Sequence, residues 1–282
     1  MKKMMLFAAA IVTLTACENN SAENEIRQSK NVSFALKGDF ELTVFDDTRA
    51  LVADGKSMTD LWVMDYDGDG NLVQQMHQTA DDAAFGSPSL SLSYGSHVIR
   101  FVASRGKNPQ LSDGILMWES ASDTFWAEYP VTVNAGTAAV HNVTLSRMSS
   151  RLGITINDAI PDGVATIGIT PSVWYRGLNI ATGGAAGQTS GETVTINIPA
   201  SRIGTTGTAL QIFCISPVSE WTANITVTAR DADGNVMGQA TITAAPFRRN
   251  RTTAYSGSLF SSDKAFTLTL DAEWDEDYTG EW

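Results

Sequence analysis

The chain has little that chemistry could use. Its 282 residues include two cysteines and three histidines. Cys17 and Cys214 lie far apart, and the N-terminal pattern read below removes Cys17 from any pairing within the fold. No intrachain disulfide framework follows. His77, His97 and His141 show neither H-x-H nor H-x-x-x-H spacing, so no zinc pattern is readable. G-x-S-x-G is absent, and the glycine-rich stretch 182–191 (TGGAAGQTSG) lacks the Gly-Lys-Ser/Thr ending of a phosphate loop. These absences leave no cofactor site and no catalytic constellation to name, and the expectation is a protein that is not an enzyme. Glycosidase carboxylates can lie far apart in sequence, so that class is open only in principle.

Basic residues are also scarce. Nineteen Lys and Arg face 31 Asp and Glu, a formal charge of −12. A surface of that sign repels phosphate backbones and anionic headgroups, which argues against nucleic-acid binding and against electrostatic attachment to a membrane. Long hydrophobic runs are missing after the N-terminus. The one there, Met4 to Val12, covers about half of the ~20 residues a spanning helix needs.

That run is informative for another reason. Lys2 and Lys3 precede it and Leu14-Thr15-Ala16-Cys17 closes it, so charge, apolar stretch and small-residue junction form a secretory signal. A junction ending in cysteine fits the bacterial lipobox, in which the thiol is acylated and the chain is cut just before it. Residues 1–16 are then the signal peptide, and Cys17 is the lipidation site. The acyl chains hold the protein to the outer membrane, facing the exterior. The alternative is an ordinary signal peptide with an incidental cysteine. Residues 17–30 are polar and aperiodic and read as a flexible tether.

From Asn31 onward the dominant period is two. Val32-Phe34-Leu36, Phe40-Leu42-Val44, Leu61–Tyr66, Leu90–Tyr94, His97–Ala103, Val140–Leu145, Leu152–Ile156, Leu210–Ile215, Ile225–Ala229, Val236–Ile242 and Phe266–Leu270 are strand-like runs bounded by Gly, Asp, Asn and Pro. The best helix candidate is Ile115 to Trp126, and 182–191 reads as a flexible loop. Asp67-Gly68-Asp69-Gly70 and Asp233-Gly234-Asn235 are hairpin turns. The pattern predicts an all-β chain of two tandem β-sandwich domains, 31–147 and 148–282, with the boundary near 146–151. Cys214 alternates with Leu210 and Ile212 and reads as a small buried residue.

Three patterns carry possible ligands. Asp65, Asp67 and Asp69 before Gly70 match the first half of a calcium loop, but the position of its bidentate glutamate is Met76; an acidic solvated turn is the other reading. Trp118 and Trp126, with Phe125 and Tyr129, could form a sugar-stacking platform or cap the end of a sandwich, and Trp174 and Tyr175 form a second such group. The acidic C-terminus carries Trp274, Tyr278 and Trp282 four apart, a spacing unsuited to a donated strand, whose apolar residues alternate.

Four stretches together resemble the fimbrillin-associated anchor and accessory proteins of Bacteroides-type, type V fimbriae. They are Asp60-Leu-Trp-Val-Met-Asp-Tyr66, Tyr94-Gly-Ser-His-Val-Ile-Arg-Phe-Val-Ala-Ser-Arg105, Leu145-Ser-Arg147 leading into Arg151-Leu-Gly-Ile-Thr-Ile-Asn-Asp-Ala-Ile-Pro161, and Pro246-Phe-Arg-Arg-Asn-Arg-Thr-Thr253. The resemblance implies two transthyretin-like sandwiches and no catalysis. It implies a place at the base or tip of a fimbrium, with partner subunits joined by strand addition and a host protein or glycan as a further partner. Stalk subunits of that system are cut after an arginine. Arg27 and Arg49 are the arginines near this N-terminus, and an anchor held at Cys17 is expected to be cut at neither. The rival expectation is a glycan-binding outer-membrane lipoprotein of a nutrient-uptake system, with Trp118 and Trp126 as ligand-binding residues.

Overall fold

A computed structural model describes residues 28–37, 58–262 and 265–273. Cys17, Arg27, Phe40-Leu42-Val44, Arg49, Trp274, Tyr278 and Trp282 lie outside the described residues.

Ten strands form the first half: β1 (Ser29–Lys37), β2 (Asp60–Asp67), β3 (Leu72–Thr79), β4 (Ser89–Ser93), β5 (Gly95–Ser104), β6 (Gln110–Ser112), β7 (Ile115–Met117), β8 (Thr124–Val133), β9 (Val140–Thr144) and β10 (Ser146–Arg147). One sheet has the order β4-β1-β9, the other β10-β8-β5-β2-β3. The period of two puts Val32 and Phe34 of β1, Leu61 and Val63 of β2, Leu90 and Leu92 of β4, and Ile99 and Phe101 of β5 into one core between them. Phe34 meets Phe101 edge to face, ring centroids 5.2 Å apart. Residues 29 and 30, expected in the tether, already belong to β1.

The second half holds β11 (Ser149–Ile156), β12 (Thr166–Pro171), β13 (Trp174–Asn179), β14 (Gly184–Thr189), β15 (Val194–Asn197), β16 (Thr208–Ile215), β17 (Trp221–Arg230), β18 (Val236–Phe247), β19 (Arg251–Gly257) and β20 (Phe266–Glu273). Sheets β16-β11-β19-β20 and β15-β12-β17-β18 enclose Leu152, Ile154, Ile167, Ile169, Leu210, Ile212, Ile225 and Val227. Fully buried Cys214 packs among them, and burial pushes its thiol pKa well up. The halves share a pairing scheme. β1 runs antiparallel to β4 and parallel to β9; β11 runs antiparallel to β16 and parallel to β19. The pairing passes from the first set of sheets to the second between Arg147 and Ser149.

A fifth sheet, β14-β13-β7-β6, joins strands from both halves. Leu178 of β13 lies opposite Leu116 of β7. Beneath it Met64, Val102, Leu116, Trp118, Met148, Leu178, Ile180 and Ile215 form a third core. Two expectations change here. The helix candidate 115–126 is extended: β7 and the start of β8 replace it, because the sheet ladder and the core outweigh a weak helical pattern. The expected loop 182–191 contains β14. Its glycines serve close approach: a Cβ on Gly187, whose φ is 60°, would stand 2.3 Å from the Met117 sulfur. Among the described residues no helix is long and apolar enough to cross a membrane.

Candidate functional site

The acidic hairpin between β2 and β3 is built for turning. Asp67 Oδ1 accepts the N–H of Asp69 at 3.0 Å and of Asn71 at 2.8 Å, and Asn71 foremost holds the Asp67 carboxyl below its ordinary pKa. The second hairpin repeats the device: Asp231 Oδ1 accepts from Asp233 at 3.0 Å and Asn235 at 2.8 Å. Asp-x-Asp-Gly-Asn is therefore a recurrent turn in this chain, in which a carboxylate replaces backbone acceptors. Asp65 faces elsewhere. It is fully buried, 2.7 Å from His97 Nδ1 and bonded to Gln74 Nε2 at 3.0 Å, while His97 Nε2 donates to the Ser93 carbonyl at 2.9 Å. Asp65 is thus turned to the buried face, while Asp67 caps the turn and Asp69 is exposed. Among the described residues no group of three or more His, Cys, Asp or Glu is placed to hold a metal ion.

The histidines stay apart as well. His77 stacks on Trp62 at 3.9 Å and meets Asp60 at 2.7 Å, and His141 Nδ1 lies 2.8 Å from the Tyr129 hydroxyl.

The tryptophans of the expected sugar platform are spent on the junction between the halves. Trp118 is 2% exposed and packs in the third core with Gly106 against its indole. Trp126 is half-buried beneath Gly183, and its Nε1 donates to the Ile180 carbonyl at 2.9 Å. Both rings are therefore engaged at the junction, Trp118 by burial and Trp126 by its bond to Ile180. Trp174 is likewise interior, donating to the Phe213 carbonyl at 3.0 Å.

Polar groups stitch the same junction. Buried Asp123 accepts from Arg147 Nε and Ser149 Oγ, each at 2.9 Å, and from Arg105 Nη2 at 3.4 Å. Arg147 Nη1 continues to Asn250 Oδ1 at 2.9 Å. Asn250 sits at φ 55°, a conformation Asn tolerates, in the turn before β19. Arg249 beside it donates to the carbonyls of Gly183 at 2.8 Å and Ser216 at 3.2 Å, and burial lowers its pKa. Single-sequence reading misses this cluster because its hydrogen-bonded partners are 18 to 103 positions apart. The stretches Leu145–Arg147 and Pro246–Thr253 held the only hint, an unusual density of arginine.

The remaining candidate surfaces are strand edges. Of seven exposed large hydrophobic residues among the described ones, five lie on outermost strands: Leu72 and Val73 on β3, Val140 on β9, Val236 on β18 and Leu268 on β20, all 42–58% exposed. An edge strand presents unpaired N–H and C=O groups, and apolar side chains beside them favour the docking of another strand.

The architecture defines an all-β protein of two sandwiches bridged by a shared sheet. Residues 113–282, more than half of the chain, match the model of a family of unknown function, DUF6562; the chain belongs to that family. No protein of curated function matches the sequence. Solved structures share the fold. A "putative adhesin" from Bacteroides thetaiotaomicron aligns at TM-score 0.52 and 11% identity, covering 88% of this chain and 99% of that one. A "putative cell adhesion protein" from Bacteroides ovatus aligns at 0.52 and 12%, covering 88% and 99%. A "putative polysaccharide binding" protein from Bacteroides thetaiotaomicron aligns at 0.53 and 8%, covering 86% and 97%. Identities this low establish a common fold over nearly the whole of each chain.

Proposed function

We propose that the protein is a lipid-anchored, non-catalytic anchor or accessory subunit of a surface fimbrium, serving cell adhesion and pilus assembly. The observation that carries the reading is the set of outermost strands bearing exposed apolar residues. They sit on a fold that Bacteroides proteins described as a putative adhesin and a putative cell adhesion protein also have. Sandwiches suit the task because a pull is shared by many interstrand hydrogen bonds at once. The Leu14–Cys17 lipobox supports attachment at the outer membrane through acyl chains on Cys17.

The position of β1 bears on maturation. It lies between β4 and β9 and contributes fully buried Val32 and Phe34 to the first core. Cleavage after Arg49 would detach β1 together with Cys17; cleavage after Arg27 would detach the lipid alone. An anchor keeps both, so strand addition on this subunit uses the free edges. Co-purification from outer membranes tests the reading: a fimbrial shaft protein is expected to accompany the wild-type chain. A surface-exposed protein that starts at Asn31 or later, and no associated shaft, would overturn it. The nutrient-uptake alternative is less favoured, since Trp118 is buried and Trp126 donates to the Ile180 carbonyl.

A further inference from the structure

The outer face of the β2-β5-β8 sheet carries a groove of about 600 Å³ that no structural role described above uses. Register places three rows of side chains across it: Ser96 opposite Thr132; Tyr66, Val98 and Pro130; then Arg100 opposite Glu128. The turn Gly68–Gly70 walls one end, and Ala181, from the second half, another. Alternation sends Asp65 and His97 to the opposite face, so the groove is separate from that buried pair.

Its hydrogen-bonding capacity is unspent. The Arg100 guanidinium is fixed: Nε donates to Glu128 Oε2 at 3.0 Å, and Cζ stands 4.5 Å over the Tyr66 ring. The Arg100 side chain is only 17% exposed, yet Nη1 and Nη2 have no acceptor among the described residues. Neither nitrogen is sealed from solvent, and the hydroxyls of Tyr66, Ser96 and Thr132 are without partners there too. A rigid arginine fork, three hydroxyls and the apolar surfaces of Val98 and Pro130 thus line one concavity.

We propose that this face binds an uncharged oligosaccharide. Sugar hydroxyls accept from the Arg100 fork and exchange hydrogen bonds with the three side-chain hydroxyls, and the C–H face of a ring covers Val98 and Pro130. Charge decides against an anionic glycan: Glu128 already balances Arg100, and the chain carries −12. A peptide strand is disfavoured because this is the face of a sheet, where the backbone groups are already paired. The proposal goes beyond the fimbrial reading and does not rest on it.

The test is ligand-observed NMR and calorimetry on the full processed chain. The probes are maltotriose, mannotriose and triacetylchitotriose, with trigalacturonic acid as the charged comparator. At least one neutral trisaccharide is expected to bind. Arg100→Ala and Thr132→Val are each expected to weaken it about tenfold, the scale of one lost charge-assisted or buried hydrogen bond. Thr241→Val, on exposed β18, is expected to change nothing. Thr132→Val keeps shape and an exposed site, so it decides the question if Arg100→Ala fails to fold. The proposal is overturned if no neutral probe binds at roughly 10 mM, a concentration that reveals even very weak sites. It is also overturned if trigalacturonic acid binds more tightly than every neutral probe, or if binding survives both groove substitutions.

Discussion

Arg147 Nε lies 2.9 Å from Asp123 Oδ1, with both side chains at 2% exposure or less. Arg147 ends the first half's last strand, and Asp123 also receives Ser149 of the second half's first strand. The pair therefore fixes the point where the chain passes from one sandwich to the other. Desolvating three charges is costly, and the geometry is what offsets it.

Asp123→Asn is expected to destabilise the protein by about 3–5 kcal/mol, because Arg105 and Arg147 remain buried with their carboxylate gone. Chemical denaturation measures it. Lys107→Ala, which breaks a pair with Glu119 that is more than half exposed on both sides, is expected to cost far less, because solvent screens it. Equal losses in the two variants would remove the junction from this role.

A second prediction concerns acid. Burial alone would raise the Asp158 carboxyl, but the N–H groups of Leu259, Phe260 and Ser261 outweigh it and hold its pKa below the ordinary 3.8. A depressed folded-state pKa means a contribution that is complete above the unfolded value. It fades as pH falls through the folded one. Asp158→Asn is expected to lower stability modestly at pH 7, and the gap to wild type should shrink below about pH 4. Thermal melts across that range read it; a gap that widens in acid contradicts the assignment.

Trp118 gives a prediction about volume. Its Nε1 is buried without a partner, so the indole contributes through packing alone. Trp118→Ala is expected to lose about 3–5 kcal/mol. Trp118→Phe should lose distinctly less, since no hydrogen bond goes with the nitrogen. Both variants are expected to leave neutral-sugar binding in the groove intact as long as they fold.

Cys17→Ser tests the tether. The folded protein should leave the membrane fraction, and fimbriae that it anchors should be shed into the medium. Cell fractionation and electron microscopy of the same culture decide it. Fimbriae of normal length still attached to cells would reduce the tether to an address.

The strands were legible because their signal is local. Val32-Phe34, Leu152-Ile154-Ile156 and Leu210-Ile212-Cys214 alternate in sequence and point inward in space, and turn chemistry marks where they end. β7, β13 and β14 were not legible. Each is short, and the sheet that holds them forms where β7 of the first half pairs with β13 of the second. The glycines of 182–191 look like flexibility until Met117 is seen lying against Gly177 and Gly187. The Asp-rich turn was ambiguous for a similar reason: three carboxylates at alternate positions suit a cation or a hairpin, and only the partners of Asp65 and Asp67 separate the two.

By itself the sequence determined the all-β class and the two hairpins, since each depends on residues within a few positions of one another. The tertiary structure alone decided that Trp118 belongs to a core and that Asp123 joins two arginines across a junction. It alone showed Arg100 held over Tyr66 with its fork unspent. Those facts depend on which distant strands lie side by side, and the pairing of distant strands is set by the burial of whole faces rather than by any local pattern.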